Sequence, residues 1–167
     1  VSLTVERGER IALRGENGSG KSTVLKLLTG ELTAQSGIVQ VPGDLRISYL
    51  PQNVSGICGT VAGYAAAHGA DPTLVMAILN KFDLRSELFS RDISGYSDGQ
   101  KKKVALAVSL ATPAHLYIWD EPLNFIDLVS RIQLEELILE YRPALLFVEH
   151  DAAFRRNVAT RTVELPR

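Results

Sequence analysis

Cysteine is all but absent from this chain: Cys58 is the only one in 167 residues. A lone thiol excludes an internal disulfide and fits a reducing cytoplasm. Excess charge is missing too. The net charge is −1, so nothing pulls the chain in bulk toward nucleic acid or a membrane surface, and no direct DNA binding is expected. No apolar run reaches membrane-spanning length, and no signal-peptide pattern opens the sequence. Repeats, low-complexity tracts and long linkers are also lacking. What remains is long enough for one domain with a proper buried core.

Within that domain the most informative stretch is Gly15-Glu16-Asn17-Gly18-Ser19-Gly20-Lys21-Ser22-Thr23. It is a full G-x-x-x-x-G-K-[ST] loop, which wraps backbone N–H groups around phosphates. Residues 10–14 read as a strand entering it, and residues 23–28 as a helix leaving it. Its glycines allow positive φ and let the backbone approach phosphate oxygens with no Cβ in the way. The helix beginning near Ser22 points its positive end at the same oxygens. Lys21 supplies a mobile charge for the β- and γ-phosphates, and the Ser22 hydroxyl is the expected Mg²⁺ ligand.

A second stretch, Leu116-Tyr117-Ile118-Trp119-Asp120-Glu121, is apolar and ends in two acids. That suits a buried parallel strand with carboxylates at its C-terminal end, where open α/β sheets bind ligands. Asp120 is expected beside Mg²⁺ and Glu121 as the base that polarises an attacking water. Trp119 reads as core. A third stretch, Tyr96-Ser97-Asp98-Gly99-Gln100, opens a helical pattern over 101–111. Ser97 makes a good N-cap there, and Lys101-Lys102-Lys103 reads either as charge that offsets Asp98 or simply as a solvated helix face.

Together these motifs resemble the nucleotide-binding domain of ATP-binding-cassette (ABC) proteins, over essentially the whole chain and in the family's order. The resemblance implies ATP and Mg²⁺ as ligands and ATP hydrolysis as the activity. It implies a phosphate loop contributed by Gly15, Asn17, Gly18, Ser19, Gly20, Lys21, Ser22 and Thr23. Tyr49-Leu50-Pro51-Gln52 is similar to the Q-loop, so Gln52 would contact Mg²⁺ and the attacking water. Residues 96–100 look like the L-S-G-G-Q signature, so Ser97, Gly99 and Gln100 would cap ATP held by an opposite cassette. Asn124-Phe125-Ile126-Asp127 resembles the D-loop, with Asp127 near nucleotide, and His150 would reach the γ-phosphate from the switch. The departures are Tyr96 for leucine and Asp98 for the first signature glycine; a carboxylate at that place repels phosphate unless it points away. The aromatic that stacks on adenine in this family should precede the phosphate loop, and no aromatic precedes Tyr49.

The expected fold is an α/β phosphate-loop ATPase domain with a mostly parallel core sheet, an N-terminal antiparallel β part and a short helical insert. Core residues would be about 1–52 and 112–167, with the helical subdomain about 53–111. Strands are expected at 1–5, 10–14, 37–41, 46–50, 116–120, 144–148 and 161–165. Helices are expected at 61–67, 74–82, around Glu87, 101–111, 132–140 and 152–158. His68 and His115 match no motif. A strand already in progress at Val1 suggests a fragment of a longer two-cassette chain.

Pro122-Leu123-Asn124-Phe125-Ile126-Asp127 and the run from His150 to Arg161 are similar to segments of the ABC-F branch. The Tyr-Ser-acid-Gly-Gln-Lys-Lys-Lys run is similar to that branch's antibiotic-resistance members. This implies a second cassette as partner, in the same chain or as a homodimer, and the ribosome as target. The alternative is the ATP-binding subunit of a membrane transporter, whose partner would be a permease.

Overall fold

The computed structural model describes residues 2–166. Five strands, β1 (Arg10–Arg14), β2 (Ile47–Leu50), β3 (Leu116–Asp120), β4 (Leu145–Val148) and β5 (Arg161–Glu164), form one sheet in the order β2-β3-β4-β1-β5. Every strand pairing among the described residues is parallel. Side chains alternate across this sheet with period two, as strand geometry requires. Ile11, Leu13, Leu116, Ile118, Leu146 and Val148 point to one face, where Leu25 of helix α1 (Lys21–Thr29) covers them. Ala12, Trp119, Leu145 and Phe147 point to the other.

That second face carries the larger core. It packs against α4 (Asp98–Ala111), α5 (Leu128–Tyr141) and α6 (Ala152–Val158), through Val104, Leu106, Leu134, Ile138, Phe154 and Val158. Two shorter helices, α2 (Val61–Ala67) and α3 (Pro72–Lys81), pack through Val61, Ala65, Val75 and Leu79 and form the insert with α4. Trp119 is fully buried, and its indole N–H donates to Ser109 Oγ at 2.8 Å, so the polar handle costs nothing unpaired. Local caps agree with the boundaries. Thr60, Asp71, Ser97, Asp127 and Asp151 each accept a backbone N–H at a helix start.

Two expected strands do not form. Leu3 and Val5 lie against the α1-side core, yet neither residues 2–5 nor 37–41 join a ladder. Val1 lies outside the described residues. A strand exists through its neighbour's hydrogen bonds, and no described segment supplies one here. Ile38 is 86% exposed in consequence. The antiparallel N-terminal part is therefore absent among the described residues. The piece around Glu87 is a short 3-10 turn, Ser86–Leu88.

His68 ends α2, with Nδ1 2.9 Å from the Tyr64 carbonyl oxygen, and His115 Nδ1 accepts the Arg46 N–H; both serve local structure.

Candidate functional site

The phosphate loop joins β1 to α1 and leaves no room for error at its first residue. A Cβ on Gly15 would stand 2.4 Å from Ser19 Oγ. Gly20 is left-handed (φ 92°) and starts α1 with no side-chain cap and no acid in the first turn. Helix-start N–H groups are therefore open to an anion, backed by the helix dipole. Lys21, nearly buried, arches back so that Nζ donates to the carbonyl oxygens of Gly15 and Glu16, both at 2.8 Å. Asn17, Gly18 and Thr23 complete the loop, and Ser19 Oγ is buried with no hydrogen-bond partner.

Beside the loop opens a cavity of about 440 Å³ lined by Arg14, Gly15, Lys21, Glu149, His150 and Arg155, among others. Arg14 and Arg155 were not read from the sequence as site residues. Acids share the cavity with them: Glu16, Glu149 and Glu164 also line it, and Arg14 Nε lies 3.7 Å from the Glu164 carboxylate.

Asp120 ends β3 and is 2% exposed. Burial raises its pKa, while a hydrogen bond from Ser22 and the charges of Lys102 and Lys26 act the other way, and Glu121 adds to the rise. Its Oδ1 has no hydrogen-bond partner. An orphaned buried carboxylate oxygen beside a serine hydroxyl suits a hard cation with oxygen ligands. Among the described residues no group of three or more His, Cys, Asp or Glu is placed to hold a metal.

Glu121 takes a left-handed conformation (φ 52°) just past β3, and its N–H donates to the Val148 carbonyl at 2.9 Å. The side chain is the meeting point of three loops. Its Oε2 accepts Gln52 Nε2 at 3.0 Å and Asn124 Nδ2 at 2.8 Å, and its Oε1 lies 3.3 Å from His150 Nε2. Partial burial favours the neutral acid, but the hydrogen bonds from Asn124, His150 and Gln52 outweigh it and hold the carboxyl below its ordinary range. The structure thus brings Gln52, Glu121 and His150 together, as the sequence suggested, and adds Asn124. Its place three residues after Glu121, in a turn closed by Asn124 N–H to Glu121 O at 3.3 Å, was the available signal.

The signature residues lie elsewhere. Ser97 and Gln100 form a reciprocal capping box: the Gln100 N–H donates to Ser97 Oγ at 3.2 Å, and the Ser97 N–H donates to Gln100 Oε1 at 2.9 Å. A Cβ on Gly99 would stand 2.8 Å from the Phe125 carbonyl oxygen, so the turn after β3 packs directly on this helix start. Neither Ser97, Gly99 nor Gln100 lines the phosphate cavity of its own chain. Asp127 also stays apart from the Glu121 cluster. It caps α5 and binds Lys103 Nζ at 2.8 Å.

The lysine triplet is not the solvated face the sequence suggested. Lys102 is fully buried, Lys101 Nζ donates to Ser55 O at 2.9 Å, and Lys103 holds Asp127. Packing of the start of α4 buries Lys102 alone, while Lys101 and Lys103 stay partly exposed.

A phosphate loop on a parallel sheet, with two acids at the end of β3, one strand removed from β1 across β4, defines a nucleotide-binding unit of the phosphate-loop ATPase class. The family profile described as "ABC transporter" matches residues 1–124, and the chain belongs to that family as an ATP-binding, ATPase-type cassette. The chain is 32% identical over 98% of its length to "ATP-binding protein Uup" of Caulobacter vibrioides. It is 31% identical over 99% to "ABC transporter F family member 5" of Arabidopsis thaliana, so its relatives include F-family cassettes. The chain spans only 28% and 25% of those two proteins. Among solved structures, an "RNase-L Inhibitor" superposes with TM-score 0.80 at 27% identity, over 96% of this chain and 32% of that one. An "ATP binding subunit of ABC transporter" superposes with TM-score 0.85 over 99% of this chain and 78% of that one; at 24% identity it shows the fold alone. No helix among the described residues is long and apolar enough to cross a membrane.

Proposed function

We propose that this cassette is one half of a paired ATPase of the ABC-F type that acts on the ribosome, with antibiotic resistance by target protection as the natural extension. The convergence of Gln52, Asn124 and His150 on Glu121 carries the ATPase part of this reading. In it the loop amides and Lys21 hold the β- and γ-phosphates. Ser22, Asp120 and Gln52 would hold Mg²⁺, which would supply positive charge to offset that of the transferring phosphoryl group. Glu121 orients and polarises the attacking water, its carboxylate held ionised by the three donors, and His150 reaches the γ-phosphate. Ser97, Gly99 and Gln100, which do not line the cavity beside their own phosphate loop, cap the nucleotide of a second cassette in this reading, with Asp127 at that junction.

Support for the F type comes from F-family relatives. Support for the ribosomal target comes from a solved complex of an archaeal ribosome recycling factor with a ribosomal stalk protein, which superposes at 27% identity and TM-score 0.80. The test uses the full-length protein carrying Glu121→Gln and the matching change in its other cassette. ATP binding should persist, while turnover falls by about 10²–10⁴ through loss of the base. Held closed by unhydrolysed ATP, the protein should co-sediment with ribosomes and slow translation. Retention in a membrane fraction with a permease, without ribosomes, would replace this reading with the transporter one.

A further inference from the structure

Four charged side chains are buried among the described residues: Lys21, Asp120, Lys102 and Glu149. The first two belong to the phosphate and metal positions. Lys102 and Glu149 have no part in the chemistry above, yet both are anchored to the parts that surround Glu121.

Glu149, 7% exposed between β4 and His150, spends its carboxylate on backbone N–H groups of two loops. Oε1 accepts from His150 N at 2.8 Å and Asp151 N at 3.3 Å, and Oε2 accepts from Leu123 N at 3.1 Å. Leu123 is the neighbour of Asn124. One carboxylate therefore fixes the backbone beneath two of the three groups that converge on Glu121. The third is Gln52, and its carbonyl oxygen accepts from Lys102 Nζ at 3.3 Å. Lys102 itself lies in the electrostatic field of Asp120, Glu149 and Glu121, which act against the effect of its burial. An uncharged side chain could fill this helix position without desolvating an ammonium, so burial of the charge is not accounted for by packing.

We propose that Lys102 and Glu149 are a buried pair of positioning residues that sets Gln52, Asn124 and His150 around Glu121. Lys102 stands just past the signature capping box on α4, so the same pair ties the setting of the hydrolytic cluster to the helix that faces the opposite cassette. The inference rests on reading Glu121 as the residue that polarises water.

The test is steady-state ATP hydrolysis by the full-length protein carrying Lys102→Met, Glu149→Gln or both, with Glu121→Gln alongside. Glu149→Gln keeps the shape but turns one acceptor oxygen into a donor, so it cannot accept from both loops. Each single change should lower kcat by about 10–100-fold, the usual effect of removing a group that orients an active residue. KM and ATP binding should hardly move, and the double variant should lose no more than the worse single one. Should Lys102→Met fail to fold, Glu149→Gln decides alone. Retained turnover in a folded Glu149→Gln protein, where Glu121→Gln is inactive, overturns the pair. So does an additive loss with KM rising in step, the mark of general loosening. Full turnover in Glu121→Gln overturns the base assignment and this inference with it.

Discussion

Two helices of this cassette, α1 and α4, begin in opposite ways, and the contrast separates what the chain can hold alone from what it offers outward. Helix α1 starts at a left-handed glycine with no side-chain cap and no acid in its first turn. Its leading amides are free for a ligand, and Lys21 stands over them. Helix α4 starts at Ser97 with both halves of a capping box satisfied and Asp98 in the first turn. There the orphan donors are partly used within the chain, and the carboxylate makes the site less hospitable to phosphate. Within one chain, the α1 start leaves its donors open to an anion, while the α4 start already uses part of its own.

The sharpest way to break that contrast is to remove the cation over α1. In Lys21→Met the loop keeps its backbone but loses a charge-assisted contact of about 1.5–3 kcal/mol. ATP affinity should fall by about 10–100-fold, read by titration calorimetry on the single chain. A matching loss on changing Ser97, which lines no part of the phosphate cavity, would mean that both helix starts serve one nucleotide.

Ser97→Ala probes the other side. Loss of the cap and of its reciprocal bond should destabilise the chain by about 1 kcal/mol, seen as a lower denaturant midpoint. ATP affinity of the single chain should stay the same. A stability loss near zero would show that contacts such as Gly99 against the Phe125 carbonyl, rather than the cap, hold the start of α4.

The α1 side was legible in the sequence because its chemistry is local. Glycine spacing, a lysine and a hydroxyl residue within nine positions name the loop, and apolar runs at 116–120 and 145–148 name the strands beneath it. Boundaries of α2 and α6 were legible too, since caps such as Thr60 and Asp151 stand next to periodic apolar residues. The pieces that escaped depend on distant partners. Residues 37–41 alternate like a strand, but no described segment pairs with them. Asn124 and Glu149 look like ordinary loop polars until three loops fold onto one carboxylate. Lys102 looks solvated in a run of lysines, and only packing of α4 on the sheet's acidic edge buries it.

The smallest expected effect sharpens the account of what fixes the α4 face. Asp127 caps α5 and reaches across to Lys103 of α4 at 2.8 Å. Burial opposes its ionisation, but the Lys103 hydrogen bond and the two Ser130 contacts prevail, bringing its pKa from 3.8 to about 2. A carboxyl depressed in the folded state stabilises the fold above its unfolded value and loses that contribution as acid protonates it. The window therefore runs from about pH 4 down to about pH 2. The full shift would amount to about 2 kcal/mol, but the Asp127 side chain is 47% exposed. Solvent screening reduces the contribution to under about 1 kcal/mol. Denaturant midpoints followed from pH 5 to pH 2.5 should drop slightly further in the natural chain than in Asp127→Asn. Parallel acid limbs in the two proteins would show that the Lys103 contact adds nothing to stability, leaving the capping box and the Gly99 contact to hold α4 in place.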